Sequence, residues 1–312
     1  LSFPAKALFS RATAKPGRGG DVDMDMFHTP TMTSSAAEQR SALPFFILVF
    51  GSTWLFQLPF ILAKRGWLSG PAERFMPLVV IGFFGPFLIA MALSLWEGGR
   101  DGLRALFRPL GVRGVGLVWY LCALALPCVL FLTARALCAP FFRVDLGPWF
   151  YPPSTAANVA AMLVIPFTEQ IPWLGFAFGR LRERHGSLFA ITAVGLGWAL
   201  FHAQKHFFLD PGFARGVTAI MILEMTAGAI VFGWMRLRAR GSLLLAVVAH
   251  AGVYLNNPAY ALPGDWRPLA LHAFALSAAA LTVVLGDRAI WRADPRRDTD
   301  HDVHRSAAVR SI

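Results

Sequence analysis

An acid and two imidazoles interrupt stretches of this chain that are otherwise built to dissolve in lipid. Glu169 opens the run Glu169-Gln170-Ile171-Pro172-Trp173-Leu174, His202 closes Trp198-Ala199-Leu200-Phe201-His202, and His250 begins His250-Ala251-Gly252-Val253-Tyr254. A carboxylate at bilayer depth costs about 2.5–3.5 kcal/mol even on the most lenient insertion scale, so an apolar helix carries one only when something offsets that cost. Carboxylate and imidazole are also the side chains most used for proton transfer in catalysis. Together at depth, they point to a buried reaction centre.

The neighbouring residues say how each group would be positioned. Glu169 lies about 11 residues before Arg180, roughly 16 Å along a helix, which sets it near the bilayer middle. Pro172 has no amide hydrogen and its ring crowds the carbonyl of Thr168, so the helix should kink or open beside the acid. Opened backbone at that depth is tolerated where it lines a cavity. Gly175 and Gly179, four apart, offer a smooth stripe to a neighbouring helix. Trp198 and His202 are one turn apart on one face, with Gly195 and Gly197 leaving room for a packed neighbour. His250 and Tyr254 repeat that spacing, so an imidazole and a phenol project from one stripe. A single histidine on an apolar helix is usually a packing residue, and a single buried glutamate its structural partner. Three such residues on separate segments, beside a proline and small-residue stripes, favour a site.

The elements that must carry them are membrane helices. Of 312 residues, 56% are hydrophobic and only 15% charged, a membrane composition that a soluble core could not absorb. Eight segments approach the length of a spanning helix: 42–62, 75–96, 115–138, 157–179, 187–208, 217–235, 242–261 and 268–287. The expected fold is all-α, a polytopic bundle of about eight transmembrane helices in the cell membrane. Lys and Arg divide unevenly between alternate connections, 21 against 7 of the 29, and the positive-inside rule then places both termini in the cytoplasm. The net charge of +11 is thus a topology signal, and no nucleic-acid partner is expected because no basic soluble domain exists to bind one.

Residues 1–40 lack an apolar period and are expected to be a disordered arm, residues 41–290 the helical domain, and residues 291–312 a charged tail. The chain begins at Leu1, and Met24, Met26 or Met32 is the expected natural start; the first span is read as a retained anchor. The connection 97–114 places Leu103, Leu106, Phe107 and Leu110 at helical spacing among Arg100, Arg104, Arg108 and Arg113, which predicts an interfacial helix with its apolar face in the acyl boundary of the lipid. Cys122, Cys128 and Cys138 show no paired spacing and predict no disulfide framework. Glu224 and Arg135 are the other ionisable groups within spans, expected as structural partners inside the bundle. His185, His272, His301 and His304 are assigned no chemistry.

In order and spacing the three fragments resemble the CPBP intramembrane proteases, also called the Abi or CAAX-protease-like family, which includes the type II CAAX prenyl endopeptidases. That family carries two adjacent glutamates with an arginine four residues after the second, then Phe or Trp ahead of a histidine, then a histidine four residues before an asparagine. The run Gly102 to Arg108, the pair Gly233-Trp234 and the triplet Gly241-Ser242-Leu243 are similar to the family as well. The resemblance implies peptide-bond hydrolysis within the membrane, on membrane-associated or prenylated protein substrates. Glu169 would be the general base for a water that His202 helps to hold, His250 would steady the oxyanion, and Tyr254 stands where an amide would assist it.

Three positions depart from the pattern: Gln170 replaces the second glutamate, Leu174 the arginine and Tyr254 the asparagine. Gln170 and Leu174 are four apart, so the family's acid and arginine would pair on one turn, and removing both charges together is compatible with an intact fold. Tyr254 can donate a hydrogen bond but is bulkier. A second reading is therefore a non-catalytic member, a membrane scaffold or immunity-type binding protein. A transporter would show internal repeats, and none is seen. No metal is required by the hydrolytic reading. Zinc is the alternative, with His202 and His206 one turn apart and Glu169 and His250 completing four ligands.

Overall fold

The outward faces of the helices are apolar, and the polar side chains turn inward. In the computed structural model, which describes residues 41–111, 114–140, 148–208, 214–257 and 266–291, the elements are helices α1 (Leu43–Lys64), α2 (Met76–Phe107), α3 (Leu117–Cys138), α4 (Ala156–Gln170), α5 (Phe178–His185), α6 (Ser187–Phe208), α7 (Ala214–Arg238), α8 (Leu243–Leu255) and α9 (Trp266–Gly286). A π-helical segment, Ile171–Ala177, joins α4 to α5. Six of the helical stretches are long and apolar enough to cross a membrane, and α6 and α8 are shorter apolar helices packed among them. Each of the eight expected segments contains helix, the seventh, 242–261, over Leu243–Leu255 alone among its described residues, and the chain is a polytopic all-helical membrane bundle. Ile47, Leu55, Leu117, Val118 and Leu285 are exposed, as a lipid-facing surface requires. The arm 1–40 and the tail beyond 291 lie outside the described residues.

Short helix α8 sits between α3, α4 and α7. Thirteen residues are too few to span alone, and burial on several sides is what stabilises it: Leu243, Leu245, Ala246, Val247, Ala249, His250 and Gly252 are all buried. Its start is capped by the Ser242 hydroxyl, which accepts from the Leu245 amide. Its end is fastened by Asn256, whose side chain accepts from the Tyr151 amide at 2.7 Å and donates to the Trp149 carbonyl at 3.3 Å. Where α8 crosses α3, a side chain at Gly252 would run into the Leu124 carbonyl, so glycine is required by backbone contact. Gly195 works similarly between α6 and α7, its missing side chain leaving room for Thr226 and Ala229. Gly175 admits Leu243, whereas nothing approaches Gly179, so the expected stripe is half used.

The segment expected at the interface is a separate helical piece. Gly99, with φ of 55°, breaks α2 and redirects the chain, and the next turn packs so closely that a side chain at Gly102 would meet the Ser94 carbonyl. Arg100 and Arg104 point to solvent. Its apolar face is not given to lipid as expected: Leu106 is buried in the main core and Leu103, Phe107 and Leu110 pack against it. The bundle offers more apolar contact than a headgroup boundary can, so the piece folds back.

Candidate active site

Pro172 opens the helix where the sequence places the break, and the result is a wide π-turn rather than a sharp kink. Glu169 and Gln170 are the last two residues of α4, both buried, and being consecutive they leave the helix in different directions. Glu169 reaches α6 and Gln170 reaches α8. One turn of helix therefore gathers both histidines.

On the α6 side, Trp198 donates its indole N–H to Glu169 Oε2 at 2.9 Å, and His202 Nε2 lies 3.5 Å from Glu169 Oε1. His202 Nδ1 lies 3.1 Å from the Trp198 carbonyl. A carbonyl can only accept, so Nδ1 carries the hydrogen and any proton that His202 gains or loses is exchanged at Nε2, toward the carboxylate. The ring is held edge-on by Phe83 and Phe201, with centroids 6.2 and 5.1 Å away.

On the α8 side, Gln170 Nε2 faces His250 Nδ1 at 3.1 Å, both residues buried. The His250 ring packs against the indole of Trp198, with centroids 5.0 Å apart, and stacks near Phe232. Trp198 thus touches all three ionisable groups. Tyr254 lies one turn further along α8, partly buried, with its ring 5.8 Å from that of His250. Glu169, His202 and His250 lie together around Trp198, and Tyr254 borders the cluster.

Sequence reasoning missed three contacts. The hydrogen bond from Trp198 to Glu169 was legible only as a buried indole N–H in need of an acceptor. Spacing pairs Gln170 with Leu174 as the positions of an absent ion pair, but the Gln170 side chain reaches His250 on α8 and the Leu174 side chain lies in the core. The Leu174 carbonyl instead accepts from Arg236 Nη1 on α7, whose Nε donates to the Gly241 carbonyl at 3.1 Å.

Among the described residues no group of three or more His, Cys, Asp or Glu side chains could hold a metal ion. The His206 side chain, named as a possible ligand, lies outside the described residues, as does that of Cys138. Cys122 and Cys128 are free. Both expected intramembrane ionisable groups have partners: Glu224 Oε1 lies 2.6 Å from His272 Nδ1 between α7 and α9, and Arg135 donates to the Pro148 carbonyl at 2.6 Å beneath the Trp149 ring.

Residues 152–255, which contain every side chain of the cluster, match the family described as type II CAAX prenyl endopeptidase Rce1-like. The chain is also similar to the protein named CAAX prenyl protease 2 of Methanococcus maripaludis, 24% identical over 267 residues, an alignment covering 79% of this chain and 94% of that protein.

Proposed function

We propose, for a chain that belongs to the CPBP, or CAAX-protease-like, family of membrane endopeptidases, that it hydrolyses a peptide bond of a prenylated or membrane-embedded protein at the cluster of Glu169, His202 and His250. The observation that carries the reading is the carboxylate of Glu169 held on one side by the Trp198 N–H and facing His202 Nε2 on the other. A water seated against Oε1 and Nε2 gives one proton to that pair as its oxygen attacks the carbonyl carbon. The carbonyl oxygen takes the displaced electron pair and is stabilised by an N–H of His250, in a site dry enough for such a donor to count. When the C–N bond breaks, the proton held between Glu169 and His202 passes to the leaving amine. The protein acts in the cell membrane, where lipid surrounds it, and no metal is needed for these steps.

The test is cleavage of a prenylated peptide, and of a transmembrane peptide, by protein purified in detergent. Glu169→Ala should abolish turnover with the helical fold kept; unchanged turnover rejects the assignment. The second reading, an inactive scaffold or immunity-type binding protein, draws on the position of Tyr254, whose ring lies against His250. If Tyr254 blocks the site, the native protein is inert and Tyr254→Asn gains turnover.

A further inference from the structure

We infer that the two imidazoles of this cluster are held with their protons on opposite ring nitrogens, and that Gln170 is the positioning residue that sets the second of them. The inference rests on the hydrolytic reading for its meaning, but its geometry stands apart from it.

An imidazole in an apolar cavity has two neutral forms of similar energy, and whatever its other nitrogen touches chooses between them. His202 Nδ1 touches a backbone carbonyl, Trp198 O, at 3.1 Å, the closer of the ring's two acceptor contacts, while Glu169 Oε1 stands 3.5 Å from Nε2, so the hydrogen stays on Nδ1 and Nε2 is the nitrogen that takes up a proton beside the carboxylate. His250 Nδ1 touches an amide nitrogen, Gln170 Nε2, at 3.1 Å. An amide N–H can only donate, so Nδ1 accepts and the ring hydrogen goes to Nε2. One ring thus presents an acceptor and the other a donor. That is the division of labour hydrolysis needs, since the water must lose a proton and the oxyanion must receive a hydrogen bond.

Gln170 is suited to this in a way that its charged analogue is not. A carboxylate at 170 could only accept, would draw the hydrogen of His250 to Nδ1, and would place a second acid next to Glu169. The amide reverses the polarity of the contact. Gln170 is fully buried between α4 and α8, so water does not compete for Nδ1. The side chain at 170 is the part of this site that departs most in chemistry from an acid pair, and the departure is functional: it makes His250 a donor without requiring it to be charged.

The experiment is nitrogen-15 NMR on protein labelled at histidine, reconstituted in lipid at neutral pH without substrate, with His202→Asn and His250→Asn used to assign the two rings. The expected spectrum has the His202 hydrogen on Nδ1 and the His250 hydrogen on Nε2. Gln170→Glu should move the His250 hydrogen to Nδ1 or protonate both nitrogens. Gln170→Met, of similar size and uncharged, should release the preference while leaving His202 unchanged. In cleavage assays Gln170→Met should lower kcat by about ten- to a hundredfold with a smaller change in KM. A native spectrum with the His250 hydrogen on Nδ1, or one insensitive to both substitutions, overturns the inference. Opposite tautomers in a protein that cleaves nothing would leave it standing and remove only the hydrolytic reading.

Discussion

Trp198 and Glu169 form the best-defined polar contact of the cluster, an indole N–H donated to a carboxylate oxygen at 2.9 Å with both groups buried. The same tryptophan accepts from His202 through its backbone carbonyl and packs its ring on His250. It therefore fixes the rotation of the carboxylate and the orientation of both imidazoles. Trp198→Phe keeps the aromatic packing and removes the N–H alone. A hydrogen bond to a charged acceptor contributes roughly 1.5–3 kcal/mol, so kcat/KM for peptide cleavage should fall about ten- to a hundredfold, with the protein still folded by circular dichroism. Unchanged kinetics would show that the carboxylate does not need this anchor.

Arg236 bears on the site from behind. The π-turn after Glu169 breaks the usual helical ladder, and the Leu174 carbonyl is satisfied from another helix by a guanidinium that also reaches Gly241. Its ring contact with Phe178 completes a latch between α5, α7 and the start of α8. Arg236→Met retains most of the packing but leaves the carbonyl without its donor, a cost of about 1–3 kcal/mol for a buried group. The melting temperature in detergent should drop by several degrees, and activity should fall with it because Glu169 stands at the mouth of that turn. A melting curve identical to the native one would mean that water replaces the guanidinium freely.

How much of this could be read in advance follows from what each residue depends on. Helix number and the site of the break were legible because apolar length and a proline act locally on the backbone. The convergence of Glu169, His202 and His250 was legible because burying each alone is costly. The partner of Gln170 was not, since His250 lies 80 positions away on another helix, and spacing rules pair only residues on one helix. Leu103, Leu106 and Phe107 were recognised as one apolar face, but periodicity does not tell whether lipid or protein covers it. The role of Arg236 depends on a contact between residues 62 positions apart, which a single sequence does not encode as a pattern.

The pair Glu224 and His272, 2.6 Å apart and mostly buried between α7 and α9, lies outside the cluster and reads as structural. Removing one member leaves the other uncompensated, which costs roughly 3–5 kcal/mol, whereas replacing both by apolar residues of like size is often neutral. Glu224→Met and His272→Phe should each lower the melting temperature markedly, and the double variant should recover most of the loss while still cleaving peptide. A double variant that melts like the native protein but has lost turnover would give this pair a part in the chemistry.

Metal dependence turns on the nitrogen that His250 has to offer. A catalytic zinc takes three protein ligands and leaves a position for water. His202 could serve, because its Nδ1–H is tied to a carbonyl and Nε2 remains open, and Glu169 could serve as well. With Gln170 donating to Nδ1, as proposed, His250 could not, because its hydrogen then occupies Nε2 and neither nitrogen keeps a free lone pair. Two ligands remain where three are wanted. Peptide cleavage should accordingly survive exhaustive chelation with the rate unchanged within about twofold, and added zinc should not raise it. Loss of activity on chelation, restored by zinc alone, would require the Gln170 amide to turn over and would overturn both the metal-free mechanism and the tautomer assignment of His250.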